Sequence, residues 1–212
     1  MAASLPTSLK YGGDSVTDSI LQILDSEERM LEVAKDALPA WMTSGFRDYS
    51  CTIHSVGCSY FSALGDRMGL QAVSELPIEQ HGDYAFVGSD VRCDSAWFTK
   101  DTIKLMALVE FERYDGARDM DDLISKVKNL ALACHRSTTT PAISILAYWT
   151  KNSQQLPDHN QLRTLFRSGF ETSERQRVPG VRGGVLRIFQ LVHETVAHSD
   201  RWRLWRIKER AA

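Results

Sequence analysis

Asp94, Glu110 and Glu112 form the most specific chemical pattern in the sequence. Asp94 lies in the segment VRCDSAWF, and the two glutamates close the apolar run TIKLMALVEFER. Side chains alternate along a strand, so Glu110 and Glu112 share one face, about 7 Å apart, with Met106 and Leu108. Leu105, Ala107, Val109 and Phe111 take the other face. Two carboxylates at the end of so apolar a run repel each other and are costly to desolvate, so something must compensate them. A divalent ion is one answer: Mg²⁺ favours carboxylate oxygen and needs only one or two carboxylates beside a substrate phosphate. Held there, it lowers the pKa of a bound water and stabilises charge on a phosphodiester. A basic side chain is the other answer, and Arg92 and Arg113 stand close by in the chain.

The elements that must position these acids follow from hydrophobic periodicity. Residues 14–43 read as helical, with a kink or stop at Pro39, and Ser59–Met68 as a second helix ending at Gly69. Three strands follow, over Gln71–Ile78, Val91–Phe98 and Thr102–Arg113. The last is apolar on both faces through Leu105–Val109, as expected of a strand covered on both sides. A hairpin turning at residues 99–101 would set Asp94 opposite residues 106–108, within diagonal reach of Glu110. Asp119–Cys134 is a helix with acids in its first turn and one stripe of Leu123, Ile124, Val127, Leu130, Ala131 and Cys134. Ala142–Thr150 reads as a buried strand, Pro157–Phe170 as a helix and Val181–His193 as a strand; Arg201–Arg210 fits either type. This order predicts an α/β fold: a mixed central sheet with helices on both faces, residues 1–50 as an N-terminal helical extension and residues 51–212 as the α/β domain.

Composition narrows the function classes. The 212 residues suffice for one sizeable core, and no stretch is long and apolar enough to span a bilayer. The opening MAASLPTSLKYGGDS lacks a basic segment followed by an apolar run, so a cytoplasmic location is the default expectation. Cys51, Cys58, Cys93 and Cys134 form no CxxC pair, and His54 and His135 complete no zinc spacing; Cys93 and Cys134, inside apolar segments, are expected to serve as small hydrophobes. The net charge of −2 hides an asymmetry: residues 1–150 hold 13 Lys/Arg against 21 Asp/Glu, residues 151–212 hold 12 against 6. A basic half points to a polyanionic partner, or to pairing with the acidic half of the same molecule. Arg182, Arg187, Arg201, Arg203 and Arg206 are the candidate phosphate contacts, with Trp202 and Trp205 interleaved among the last.

An acid on one strand, an acid–x–lysine or acid–x–glutamate triplet at the end of the next, and then a helix: in these features the sequence resembles the PD-(D/E)XK nuclease superfamily. The matching segments are VRCDSAWF, ALVEFER with Glu110–Phe111–Glu112, and DLISKVKNLALAC, with YFSALGDRMGLQAVSELPI as the entry to the core; the likeness covers about residues 55–150. It implies a restriction-endonuclease-like core in which Asp94 and Glu110 bind Mg²⁺ (or Mn²⁺), with Glu75 as an additional acidic ligand. One departure matters: the triplet's third position, usually lysine, is Glu112. The resemblance then implies a lysine supplied by the following helix, Lys126 or Lys128. Each sits about 100° from the centre of the apolar stripe, on opposite edges, so at most one faces the site.

The expected function is metal-dependent hydrolysis of nucleic-acid phosphodiesters, with DNA the expected substrate, in a restriction or defence setting. The chain would act as a homodimer or as a subunit of a larger complex. The alternative is an inactive protein that keeps the fold and serves as a nucleic-acid-binding or assembly subunit.

Overall fold

The first helical stretch breaks at Ser26 as well as at Pro39. In the computed structural model, which describes residues 13–49, 51–87, 90–152 and 156–210, α1 (Gly13–Leu24) gives way to α2 (Glu27–Ala37). The Ser26 side chain caps α2 by accepting from the Arg29 N–H, and Glu27 and Glu28 fill its first turn. Pro39 opens the single turn α3 (Pro39–Met42), where a missing N–H costs nothing. A two-residue strand, β1 (Phe46–Arg47), precedes α4 (Thr52–Arg67), which starts seven residues earlier than the periodicity predicted. Its first two turns carry His54, Ser55 and Gly57 among Ile53, Val56 and Cys58, a mixture that hides the helical stripe.

The strands then follow as β2 (Gln71–Pro77), β3 (Arg92–Phe98) and β4 (Leu105–Arg113). After them come α5 (Met120–Arg136), β5 (Ile143–Lys151), α6 (His159–Ser168), a small hairpin of β6 (Gly169–Glu171) and β7 (Arg177–Pro179), β8 (Val185–Thr195) and β9 (Arg201–Glu209). The fold is mixed α/β. Seven strands form one sheet in the order β1-β9-β8-β5-β4-β3-β2. The inner strands β4, β5 and β8 run parallel, as crossovers through α5 and α6 require, and the flanking strands are antiparallel. Arg201–Arg210, open between two readings in the sequence, is thus a strand: β9 is hydrogen-bonded to β8 along its length.

Two cores lie on opposite faces of the sheet. One joins Ile53, Tyr60, Phe61 and Leu64 of α4 to Val109, Phe111, Ile145 and Ala147, and includes Ile20, Leu24, Met30 and Trp41 of the N-terminal helices. The described part of residues 1–50 therefore packs into the same core as the sheet. The other core joins Leu123, Val127, Leu130 and Ala131 of α5 to Leu108, Leu146 and Ile188, with Leu162 and Phe166 of α6.

The β3–β4 register differs from the expected one. The connection is longer than residues 99–101: Thr99 donates its N–H to the Lys104 carbonyl at 3.0 Å, and Thr99 pairs with Thr102 through their hydroxyls. Pairing runs Trp97↔Ala107, Ala96↔Leu108 and Ser95↔Val109, with a slip between Trp97 and Phe98 that leaves Met106 as the extra residue of a bulge. Met106 accordingly joins the α4-side core instead of sharing the face of Leu108. Continued past Ser95, this register sets Asp94 beside Glu110, not opposite residues 106–108.

Candidate metal centre

Backbone pairing of β3 with β4 stops at Ser95↔Val109, and the acids lie where the two strands part. Phe111 donates its N–H to Asp94 Oδ2 at 2.7 Å, so the Asp94 carboxylate stands in for the next backbone acceptor of the ladder. From the α5 face, Lys126 reaches across the gap. Its Nζ lies 3.0 Å from Asp94 Oδ2 and 2.7 Å from Glu110 Oε2. Lys126 thus seats itself between the two carboxylates, and an arginine is not needed there: Arg92 pairs with Glu75 and Arg113 with Asp48 and Asp115.

Glu110 is fully buried, and its Oε1 has no hydrogen-bond partner among the described residues. Burial pushes the Glu110 carboxyl up to about 8; Lys126 opposes the rise and Asp94 adds to it. Burial by itself would lower Lys126, but Glu110 and Asp94 outweigh it and hold the ammonium charged. Below about pH 8 Glu110 is therefore held as the neutral acid and Lys126 balances Asp94, so a cation entering here would have to displace the Glu110 proton.

A second set of donors arrives from α4, and sequence reading missed it. His54 and Cys58 are four residues apart on one helix face, turned toward β2 and β3. That spacing was visible in the chain but fell in a stretch without recognised helical period. His54 Nε2 lies 3.6 Å from Asp94 Oδ1, 3.9 Å from Glu75 Oε1 and 3.5 Å from Cys58 Sγ. The four ligating atoms of His54, Cys58, Glu75 and Asp94 all fall within 4.8 Å of one another. Glu75 stands across from Asp94 between the pairs Ser74↔Ser95 and Leu76↔Cys93, in the left-handed region at φ +53°, a conformation that a glutamate adopts at a cost. Burial pushes the Cys58 thiol up to about 12, reinforced by the nearby carboxylates of Asp94 and Glu75.

Gly57 and Phe111 hold α4 at this height. A Cβ on Gly57 would fall 2.0 Å from the Phe111 ring, so only glycine lets the helix lie this close to β4. The same ring stacks on His54, with centroids 6.1 Å apart and planes at 27°.

Other residues singled out in the sequence fall elsewhere. Glu112 Oε1 accepts the N–H of its own neighbour Arg113, and the side chain borders a small cavity of about 220 Å³ with Asp48, Tyr49, His54 and Trp149. Lys126 pairs with Asp94 and Glu110, and among the described residues no ion pair joins it to Glu112. Lys128 lies over the Phe170 ring, 5.5 Å from its centroid, on the α6 side of α5. Of the two helix lysines only Lys126 faces the acids. Arg187 is buried and pairs with Asp25 and Glu209, so it is not available to a phosphate; its place on an inner strand explains this. Arg203 pairs with Glu194 and Arg206 with Glu27. Arg182 and Arg201 are exposed. Arg201 lies near the carboxyl end of β8, whereas Arg182 lies before its start, beside Arg167 and Arg177, so the five arginines make no single surface. Among the described residues, no helix is long and apolar enough to cross a membrane. No protein-family model, no characterised protein and no solved structure matches the chain.

Proposed function

We propose that the protein is a metal-dependent hydrolase of nucleic-acid phosphodiesters, built on a restriction-endonuclease-like core. The observation that carries this reading is the meeting of Asp94, Glu110 and Lys126 at the parting of β3 and β4, with the lysine supplied by α5 where Glu112 occupies its usual place. Two observations support a divalent cation: Asp94 Oδ1 is turned toward Glu75 and His54, and Glu110 Oε1 has no hydrogen-bond partner among the described residues. Asp94 and Glu110 would hold the ion, Mg²⁺ or Mn²⁺, with Glu75 beside them. Bound there, it would supply a water of lowered pKa and neutralise phosphate charge.

The chain's own residues do the rest. The Phe111 N–H fixes the rotamer of Asp94 and reserves Oδ2, so that Oδ1 is the oxygen left to turn outward. The Lys126 ammonium is placed to offset negative charge that develops on a phosphodiester, a role for a compact point charge already held in position. Burial keeps Glu110 apart from bulk water and strengthens its interaction with any cation. DNA is the proposed substrate, and exposed Arg201 is the candidate phosphate contact at the carboxyl end of the inner strands.

The test is cleavage of plasmid, linear and single-stranded DNA and of RNA in the presence of Mg²⁺ or Mn²⁺. Wild type should cut at least one of these, and Asp94→Asn, Glu110→Gln and Lys126→Met should each lower the rate by about 100-fold or more. A second reading is favoured by the same lysine: Lys126 already occupies the space between the two carboxylates, as a retained fold without catalysis would require. In that case wild type and variants are equally inert, and nucleic-acid binding survives all three substitutions.

A further inference from the structure

The α4 donors point to an ion of a different class from the one that carboxylates alone would select. His54 Nε2 faces three electron-rich atoms at 3.5, 3.6 and 3.9 Å. For the two carboxylate oxygens these separations exceed a nitrogen–oxygen hydrogen bond, whose range ends near 3.2 Å. The 3.6 Å separation agrees instead with the spacing between ligands that share one ion, and 3.9 Å lies just above it. Bonds of about 2.0–2.3 Å in a tetrahedral arrangement set neighbouring donors about 3.3–3.8 Å apart.

Both carboxylates are already divided in the way such a site needs. Asp94 commits Oδ2 to the Phe111 N–H and Lys126 and leaves Oδ1 toward His54. Glu75 commits Oε2 to Arg92, at 3.2 Å, and leaves Oε1 toward His54. Each acid therefore has one oxygen held by a cation and the other turned to the same point, and Lys126 does not compete for that point. His54 and Glu75 are partly exposed while Cys58 and Asp94 are buried, so the cluster is closed below and open to solvent above.

We propose that His54 Nε2, Cys58 Sγ, Asp94 Oδ1 and Glu75 Oε1 bind one zinc-class divalent ion in four-coordinate geometry. An imidazole and a thiolate beside two carboxylate oxygens favour Zn²⁺ or Co²⁺ over Mg²⁺, because nitrogen and sulfur are poor ligands for the harder cation. Binding forms the metal–sulfur bond as the thiol gives up its proton to solvent, so one proton leaves per ion bound. The proposal shares Asp94 and Glu75 with the hydrolase reading but does not rest on it, since the site would bind its ion whether or not a phosphodiester is cut.

Co²⁺ is the probe, because a cobalt–thiolate bond absorbs in the near ultraviolet. The metal-free 212-residue chain titrated with Co²⁺ should take up one equivalent and show that charge-transfer band, and Zn²⁺ in equal amount should displace it. Millimolar Mg²⁺ should not. Cys58→Ser should remove the band, and it and His54→Ala should each weaken Zn²⁺ binding at least tenfold by calorimetry, with unchanged circular dichroism of the metal-free forms. Glu110→Gln should keep the band while abolishing any cleavage, which separates this site from the hydrolase reading. Absence of a thiolate band in folded wild type overturns the proposal, as does Zn²⁺ binding equally tight in wild type and Cys58→Ser. A wild type that shows the band but cuts no nucleic acid upholds the metal site and removes only the hydrolase.

Discussion

Gly57 of α4 lies against the ring of Phe111 of β4 so closely that a methyl group on the glycine would sit 2.0 Å from Cε1. Through this contact the helix that carries His54 and Cys58 is set against the strand that carries Glu110, and the Phe111 N–H in turn holds Asp94. One residue pair therefore fixes the height of both donor sets.

Gly57→Ala puts two effects in opposition. Alanine in place of glycine inside a helix gains up to about 1 kcal/mol from backbone entropy. Against this, the buried Phe111 ring has to move, and overpacking of a close core costs about 1–3 kcal/mol. The clash is with a ring held in the core, not with a flexible side-chain tip, so the steric cost should win. Urea denaturation should show a lower midpoint for Gly57→Ala than for wild type. A raised midpoint would mean that α4 can lift away without loss.

Acid stability should depend on His193, the last residue of the strand expected over Val181–His193. It is fully buried on β8, and Trp41 donates its indole N–H to Nε2 at 2.9 Å. Nε2 is then the acceptor, so the ring proton of the neutral form sits on Nδ1, facing the Leu191 carbonyl at 3.2 Å. Burial pushes His193 down to about 4, with the Leu191 carbonyl and Asp48 pulling weakly the other way. The sign follows from linkage: as pH falls the unfolded chain takes up the proton first, so stability present above 6.5 is lost as pH drops toward 4. The full effect is about 3 kcal/mol. His193→Gln keeps an acceptor for Trp41 and removes the titration, so its stability should fall less steeply between these pH values. Intrinsic tryptophan fluorescence during denaturation at a series of pH values would measure it, and identical slopes in the two proteins would remove His193 as the cause.

The arginines should divide by burial. Arg187→Met breaks the buried end of a pair with Glu209 and Asp25, and should cost about 1–3 kcal/mol of stability. It should leave nucleic-acid affinity unchanged once the protein is folded. Arg201→Ala should leave stability within about 0.5 kcal/mol. If the carboxyl end of the inner strands meets phosphate, it should lower the salt dependence of binding by about one counterion. Fluorescence anisotropy at several salt concentrations would check both, and a loss of affinity in folded Arg187→Met alone would contradict the division.

Much of this was determined by the sequence itself. The β4 run Leu105–Val109, apolar on both faces, could only be an inner strand covered by helices on either side, because no alternation leaves a face for water. The placing of acids at its end, and of Lys126 on an edge of the α5 stripe, followed from the two-residue period of strands and the 3.6-residue period of helices. Local periodicity does not reach across the sheet. Which lysine faces the acids depended on where α6 and the β6–β7 hairpin pack, and Phe170 draws Lys128 to that side. The meeting of Asp94 with Glu110 depended on a bulge at Met106 and a longer turn, since a shift of one residue moves every opposing pair. His54 and Cys58 entered the site only because Gly57 lets α4 lie on Phe111, a contact between residues 54 positions apart in the chain that no pattern within either segment encodes. Periodicity along the chain settles which face a residue takes, whereas register and close packing between distant segments settle which faces meet.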